Sequence, residues 1–324
     1  MNNNFSIVKS IDTAGFNQVK IVNNLTGEFI SILPYSGARL NQANLLCNGN
    51  LISALKVQAE MEMKTNDELY NNAFLFPFAG RIEKGRYTFE NHSYQLPVNF
   101  ENENNACHGF LYNEKFDLVE EIIEEDYAGI QLQYTGNNGF PGYPFQFKIK
   151  VFYSLDRNGR VSLNTEIENL SASRILFSSG WHPYYTFPVK VDDLIIEFLP
   201  LEKIEFGPYG IPTGNKIKFT PGKPHKIDLL KTELDAVYKL CGTGEQHNIK
   251  ISSGSNGFNF SIRQQAGTGK YNYLVIYTPP DRSSIAVEPI TSNINSFNNN
   301  EDVVILEPKC NWQSGFSFQF EESR

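Results

Sequence analysis

The hydrophobic residues of the chain fall in short runs that alternate with polar residues, and Gly, Pro, Asn and Asp separate the runs. A period of two places successive side chains on opposite faces of a β-strand, and few segments show apolar residues at helical spacing. The clearest pair of runs covers residues 145–155 and 160–167. Between them, Asn158-Gly159 favours the tight turn of a β-hairpin. The pattern predicts an all-β fold.

Many further strands are predicted, at residues 18–22, 29–33, 85–96, 130–134, 175–180, 258–262, 271–277 and 315–320. So many strands must close or stack in order to bury their apolar faces. An aromatic fraction of 13% suits wide sheets that need bulky filling, which favours a large antiparallel β-sandwich.

The segment 206–225 is rich in Pro and Gly and is predicted to be a long loop. Because strand patterns continue on both sides of it, we expect residues 1–324 to form a single domain. A short helix is expected near residues 64–72, where Thr65 or Asn66 could cap it.

Composition restricts the class of protein, its partners and its location. A hydrophobic fraction of 40% fits a packed globular protein, and a net charge of -8 without a basic run argues against nucleic acid. No apolar stretch approaches the roughly 20 residues that cross a bilayer. The first ten residues lack the apolar core of a secretory signal, so a cytoplasmic location is expected. The four cysteines have no paired spacing and are predicted to be free thiols: Cys47, Cys107, Cys241 and Cys310.

Two cationic or titratable residues stand out in the first half of the chain. Arg81 lies inside an otherwise apolar run, residues 76–82, and a buried guanidinium needs a partner. It either pairs with a carboxylate at a strand end or holds sugar hydroxyls or a ligand carboxylate. His108 follows Cys107, and on an extended strand the two side chains would point to opposite faces, which excludes a nucleophilic dyad. Taken alone, His108 fits a structural role.

His182 closes the segment Ser178-Ser179-Gly180-Trp181-His182. If the strand continues through it, Ser178, Gly180 and His182 share one face. Small residues beside an imidazole would leave a hollow for a ligand, although a histidine that ends a strand and bonds to the backbone is the plainer interpretation.

Glu288 lies in a run whose alternation places Ser284, Ala286 and Glu288 on one face. Pro289 then favours an extended backbone at Glu288 and fixes the direction of its carboxylate. The alternative is an exposed strand end, because glutamate is rarely buried.

Taken together, these segments resemble the aldose 1-epimerase family in residue type and in order. The motifs are Gly80-Arg81-Ile82 with Gly85-Arg86-Tyr87, Asn99 ahead of His108-Gly109, His182-Pro183-Tyr184, Leu234-Asp235 and Val287-Glu288-Pro289. The resemblance implies a galactose-mutarotase-like supersandwich that interconverts the α and β anomers of a free sugar without a cofactor or metal. It also implies that Glu288 is the general base and His182 the general acid, with Arg81, His108 and Asp235 binding the sugar.

Three positions depart from the best-known members and leave the preferred sugar open. Gly80 stands where Asn usually precedes the Arg, Phe110 where a second Gly is common, and Tyr185 where Asn often follows the aromatic residue. Four alternatives stay open: a sugar-binding protein without turnover, an enzyme for hexose 6-phosphates using Arg86 or Arg174, a metal site of His108, His182 and Glu288, and a glycosidase with Asp235 as second carboxylate.

Overall fold

A computed structural model describes residues 4–11, 15, 17–57, 70–242, 244–254 and 257–321. Within these residues the strands in chain order are β1 (Phe5–Ile11), β2 (Asn17–Asn23), β3 (Phe29–Leu33), β4 (Arg39–Cys47), β5 (Asn50–Ser53), β6 (Phe74–Leu75), β7 (Arg81–Glu83), β8 (Arg86–Phe89), β9 (His92–Gln95), β10 (Asn105–Cys107), β11 (Asp117–Ile123), β12 (Tyr127–Gly136), β13 (Phe147–Asp156), β14 (Val161–Asn169), β15 (Ile175–Phe177), β16 (Gly180–Trp181), β17 (Tyr184–Tyr185), β18 (Leu194–Phe198), β19 (Pro200–Phe206), β20 (Pro212–Lys218), β21 (His225–Asp228), β22 (Asp235–Leu240), β23 (Gln246–Ser253), β24 (Asn259–Gln265), β25 (Tyr273–Tyr277), β26 (Ile285–Ile290), β27 (Val304–Leu306) and β28 (Asn311–Glu321). Helical structure in the described residues consists of α1 (Ser296–Asn299) and of 3-10 turns at Glu101–Glu103, Leu111–Asn113, Val191–Asp193 and Pro208–Gly210.

Three large antiparallel sheets carry the described part of the chain. The first has the order β1-β2-β3-β4-β5, and the nine-stranded sheet has the order β11-β12-β13-β14-β28-β24-β23-β18-β21. The eight-stranded sheet runs β20-β19-β22-β25-β26-β16-β6, and β17 also pairs with β26. The prediction of an all-β antiparallel fold is therefore confirmed. Among the helices of the described residues, none is long and apolar enough to span a bilayer.

The nine-stranded and eight-stranded sheets face each other across an aromatic core. Trp181 of β16 lies 6.0 Å from Tyr153 of β13 and 6.3 Å from Phe316 of β28, measured between ring centroids. Tyr185 of β17 lies 5.2 Å from Phe260 of β24. Burial of each such ring contributes about 2–3 kcal/mol. These rings hold β16 and β17 against the opposite sheet, which fixes the two residues between them.

The predicted hairpin is confirmed as β13 and β14, which pair along their whole length. Gly159 takes a φ of 72°, and the carboxylate of Asp156 accepts the backbone N–H groups of Asn158 and Arg160. The four cysteines are free thiols, as predicted.

Three sequence predictions differ from the structure or lie outside it. The single strand predicted at 85–96 is a hairpin, because Glu90 and Asn91 both take positive φ between β8 and β9. The long loop predicted at 206–225 contains β20, whose Pro212 stands at the first position of a sheet-edge strand, where proline is tolerated. Most of the helix predicted near 64–72 lies outside the described residues.

One close backbone approach sets the position of the loop around residue 108. Gly109 forms an isolated parallel bridge with Phe76, and the N–H of Phe110 donates to the carbonyl of Phe76 over 2.8 Å. A Cβ at Gly109, which has a φ of 72°, would lie 2.0 Å from that carbonyl oxygen. Only glycine fits there without moving the chain.

Replacing Gly109 by Ala is expected to lower the free energy of unfolding by about 3 kcal/mol, through the steric clash added to the left-handed backbone. Gly214→Ala is the matched control, because Gly214 has a φ of 89° but nothing within 4 Å of the added Cβ. The control should cost only about 1 kcal/mol. Urea unfolding of both variants measures the difference, and equal losses would contradict the steric explanation.

Candidate active site

A cavity of about 450 Å³ opens on the eight-stranded sheet, between that sheet, the β7/β10 pair and the loop after β19. All five residues singled out from the sequence line it: Arg81, His108, His182, Asp235 and Glu288. Aromatic and aliphatic side chains complete the wall around these polar groups, a combination that is typical of small-molecule sites. Four rings contribute to them: Phe100, Tyr184, Phe206 and Tyr277. The fold thus brings together residues that are more than 200 positions apart.

Glu288 lies on β26, in the interior of the eight-stranded sheet. Its register partner on β25 is Val275, and the strand is paired on its other side by β16 and β17. Alternation along the strand is seen from Val287 to Ile290. Glu288 and Ile290, two residues apart, both line the cavity, whereas Val287 is buried in the core. Ser284 and Ala286 are buried but are not among the residues lining the cavity.

His182 lies between β16 and β17, so the prediction of one continuous strand through it is wrong. Its backbone N–H donates to the carbonyl of Ala73 over 3.0 Å, and its carbonyl accepts the N–H of Asn72 over 2.9 Å. The imidazole stacks on Tyr184 with centroids 5.0 Å apart. Gly180 does not form a hollow: its missing Cβ lets Ile290 pack within 2.6 Å of that position. The open side of the ring is provided by other parts of the chain.

The two predicted catalytic groups are buried side by side. Nε2 of His182 lies 3.4 Å from Oε1 of Glu288, and the residues are 7% and 3% exposed. Burial lowers the pKa of His182 to about 3, and the charge of Arg39 adds to the effect. Burial also raises the pKa of Glu288 well above its ordinary value, with a further contribution from Asp235. Between these two pKa values the pair holds one proton.

His108 does not extend β10 but turns out of it with a φ of 63°. Its Nδ1 accepts the backbone N–H of Gly80 over 3.3 Å, and this bond selects the tautomer that carries its proton on Nε2. Burial lowers the pKa of His108 well below its usual value, so the ring is a neutral donor packed between Tyr70 and His182, at 4.6 and 5.3 Å. Burial raises the pKa of Cys107, which also argues against a nucleophile there.

Of the two roles that the sequence suggested for Arg81, pairing with a carboxylate is confirmed. Its Nε and Nη2 donate to the two carboxylate oxygens of Glu103 over 2.5 and 3.0 Å, and its guanidinium lies over Phe100 at 5.6 Å. Burial alone would lower the pKa of Arg81, but the hydrogen bond with Glu103 outweighs it and the pKa is raised. Arg81 is therefore a paired guanidinium that also lines the cavity. Sequence reasoning did not find Glu103, because only the pairing of β7 with β10 brings it close.

Asp235 is the first residue of β22 and lies opposite Tyr277 of β25. It is exposed, and Val237 lines the cavity two residues further on the same face of the strand. Its carboxylate thus marks the open edge of the cavity, while Glu288 lies in its buried part.

Of the three positions that depart from the family pattern, only Gly80 lines the cavity. Phe110 stacks on Phe140 at 4.7 Å, and Tyr185 is fully buried in the core between the sheets. At Gly80, which has a φ of 77°, an added Cβ would lie 2.2 Å from Cδ1 of Ile294. Ile294 thus fills the space that a longer side chain at position 80 would need. An apolar side chain therefore stands in this wall in place of a polar one at position 80.

Within the described residues, no three His, Cys, Asp or Glu side chains are arranged so as to hold a metal ion. His108 also commits its Nδ1 to the backbone of Gly80. This geometry does not support the hypothesis of a three-ligand metal site.

Comparison with known proteins gives consistent results. The family model described as aldose 1-epimerase matches residues 37–319. The uncharacterized protein YihR of Escherichia coli K12 is 25% identical over 239 residues, which span 72% of this chain and 73% of that protein. Galactose mutarotase of Bos taurus is 27% identical over 231 residues, which span 68% of this chain and only 62% of that protein. A solved galactose mutarotase-like protein of Clostridium acetobutylicum superposes with a TM-score of 0.84 at 19% identity, over 99% of this chain and 100% of that one. That similarity confirms the predicted galactose-mutarotase-like fold.

Glu288→Gln is expected to stabilise the protein at neutral and alkaline pH. Because the folded-state pKa of Glu288 is raised above the ordinary 4.5, the cost of ionising it is absent below about pH 4.5 and grows as the pH rises toward the folded-state value. The gain in free energy of unfolding should therefore increase with pH, to about 2 kcal/mol. Urea unfolding of both proteins at pH 4, 6 and 8 measures it. A difference that does not change with pH would contradict the assignment.

Proposed function

The chain belongs to the aldose 1-epimerase family, and we propose that it interconverts the α and β anomers of a free aldose. The observation that carries this proposal is the contact of 3.4 Å between Nε2 of His182 and Oε1 of Glu288 inside a cavity of about 450 Å³. The reaction requires a base at the C1 hydroxyl and an acid at the ring oxygen. Because both oxygens are bonded to C1, two neighbouring side chains such as this pair can reach them from one side.

The proposed chemistry transfers two protons and requires no oxidant or reductant. The carboxylate of Glu288 takes the proton of the C1 hydroxyl as the C1–O1 double bond forms, the bond from C1 to the ring oxygen breaks, and His182 gives its proton to that oxygen. Rotation about C1–C2 then presents the other face of the aldehyde, and the reverse transfers close the ring. The pair carries one proton before and after each step. The raised pKa of Glu288 and the lowered pKa of His182 place the shared proton on Glu288 at rest, so it crosses the 3.4 Å contact to His182 before the ring opens. In that form burial favours both transfers, because it makes the carboxylate a stronger base and the imidazolium a stronger acid.

The remaining residues are proposed to hold the sugar. Arg81 offers N–H groups on the cavity side of its pair with Glu103, and the neutral His108 offers Nε2–H. Asp235 at the open edge provides acceptors for hydroxyls. The ring of Tyr184, stacked on His182, closes one wall and limits the rotation of the imidazole.

The charges favour an uncharged sugar over a hexose 6-phosphate. Among the described residues that line the cavity, Arg81 is the only permanently charged cation, and Glu103 neutralises it. Asp235 adds negative charge at the open edge, which opposes a phosphate dianion. Arg86 and Arg174, which the sequence suggested for the phosphate, do not line the cavity and donate to Gln95 and Glu90. Free glucose and galactose should therefore react faster than their 6-phosphates in the same assay.

Wild-type protein is expected to accelerate anomer exchange of at least one free aldose, measured by NMR exchange or polarimetry on a panel of sugars. Glu288→Gln and His182→Asn should each lower kcat by about 10²- to 10⁴-fold, because each removes one proton-transfer group. Glu120→Gln, an exposed carboxylate on β11, is the control and should keep full activity. Binding of a sugar without acceleration of any would contradict the proposal and identify a sugar-binding protein instead.

The pH profile of kcat/KM should be bell-shaped, after subtraction of the spontaneous rate. Activity is lost on the acid side as the pair gains a second proton near pH 3, the pKa of His182, and on the alkaline side as it loses its only proton at the raised pKa of Glu288. Substrate titrations between pH 3 and 9 measure both sides of the profile. A single transition near pH 6.5, the ordinary pKa of histidine, would contradict the shared proton.

A further inference from the structure

We propose that a second cavity beside the catalytic one binds the next sugar ring of a reducing disaccharide or longer oligosaccharide. The second cavity has a volume of about 560 Å³. The inference rests on the proposed function, because it takes C1 of the reducing ring to lie against the Glu288–His182 pair.

The two cavities share a wall. The segment from the end of β19 to the start of β20 forms it. This segment contributes Phe206 and Gly210 to the first cavity and residues 208–209 and 211–213 to the second, while Gly207 lines both. On the other side, Arg81 lines the first cavity and its ion-pair partner Glu103 lines the second. A ligand that leaves the first cavity past this ion pair therefore enters the second directly.

The relative positions of Glu288, Arg81 and Glu103 indicate how an oligosaccharide would run from the first cavity to the second. Arg81 is near enough to Glu288 to oppose the rise in its pKa, and its guanidinium is bound to Glu103. The path thus runs from Glu288 past Arg81 to Glu103 and into the second cavity. In the proposed binding mode C1 lies at Glu288, and the opposite end of the reducing ring, which carries the glycosidic link in a disaccharide, points past Arg81 toward Glu103.

The second cavity presents an aromatic ring at its surface. Tyr209 is 64% exposed and takes a left-handed backbone conformation, with φ 62° and ψ 23°. The amide of Asn105 donates to its carbonyl over 3.0 Å and holds this conformation. A non-glycine residue in such a conformation costs about 1 kcal/mol or more, and exposing an aromatic ring adds no stability to the fold. A ligand stacked on the ring accounts for both features.

The polar groups around Tyr209 suit an uncharged, hydroxyl-rich ligand. Asn102 and Asn104 are exposed and, within the described part of the chain, make no side-chain hydrogen bond. The charged residues are already compensated, Glu83 by Lys84 at 3.1 Å and Glu103 by Arg81. The free side-chain amides can hydrogen-bond to the hydroxyl groups of a pyranose, and the ring of Tyr209 can stack on its C–H face.

Isothermal titration calorimetry with maltose, cellobiose, lactose and melibiose, which all end in reducing glucose, tests the proposal against glucose itself. At least one disaccharide should bind about fivefold more tightly than glucose, because stacking on Tyr209 adds to the contacts of the reducing ring. Tyr209→Ala should remove this gain and Tyr209→Phe should keep it. Tyr35→Ala is the matched control, since Tyr35 is 51% exposed in the turn between β3 and β4, and it should leave the gain unchanged.

Disaccharides that bind no more tightly than glucose, or not at all, would overturn the proposal, as would a preference that survives in Tyr209→Ala. Binding is measured separately from turnover. A protein that prefers a disaccharide but exchanges no anomers would therefore contradict the proposed function and leave the second subsite standing.

Discussion

Two ionisable side chains buried in contact with each other cannot both be charged independently, because the interior solvates ions poorly. Glu288 and His182 are in this situation at 3.4 Å, and their pKa values are moved apart by burial rather than by a strong opposite charge. The pair consequently keeps a single proton over a wide range of pH. This constraint applies to the other groups of the cavity as well. They must bind a ligand without stabilising the charges of the pair, because such stabilisation would return the two pKa values to their ordinary range.

The scaffold holds the pair from two directions. Glu288 stands on a strand that is hydrogen-bonded on both sides, and its direction is fixed by the sheet. His182 has no strand of its own, and it is positioned by Trp181 on one side and Tyr184 on the other. An interior strand and a pair of anchored rings give a geometry that does not relax easily, which is what general acid–base chemistry requires.

A second layer of backbone contacts orients the donors. Asn99 binds both the N–H and the carbonyl of Cys107, which fixes the end of β10 immediately before His108. Gly80 then binds Nδ1 of His108, and Gly109 brings the following residue against Phe76. The motif residues Asn99 and Gly109 thus act by holding the chain, whereas His108 and Arg81 line the cavity. This division explains why so much of the family motif is made of residues that have no reactive group.

The sequence by itself determined the all-β class, the β13/β14 hairpin and the ordered motif that picks out Arg81, His108, His182, Asp235 and Glu288, because alternation and turn residues are local properties of the chain. It correctly placed Glu288 on an alternating strand. It wrongly placed His182 on a continuous strand, because the strand is broken at that residue. It also predicted a hollow formed by the small residues that share a face with His182, and these residues do not line the cavity. Only the tertiary structure decided the contact of His182 with Glu288, the pairing of Arg81 with Glu103, the orientation of Phe110 and Tyr185 away from the cavity, and the second cavity at Tyr209. These features depend on strand order and on the approach of segments far apart in the chain, and burial, which sets the two pKa values, exists only once those segments have packed.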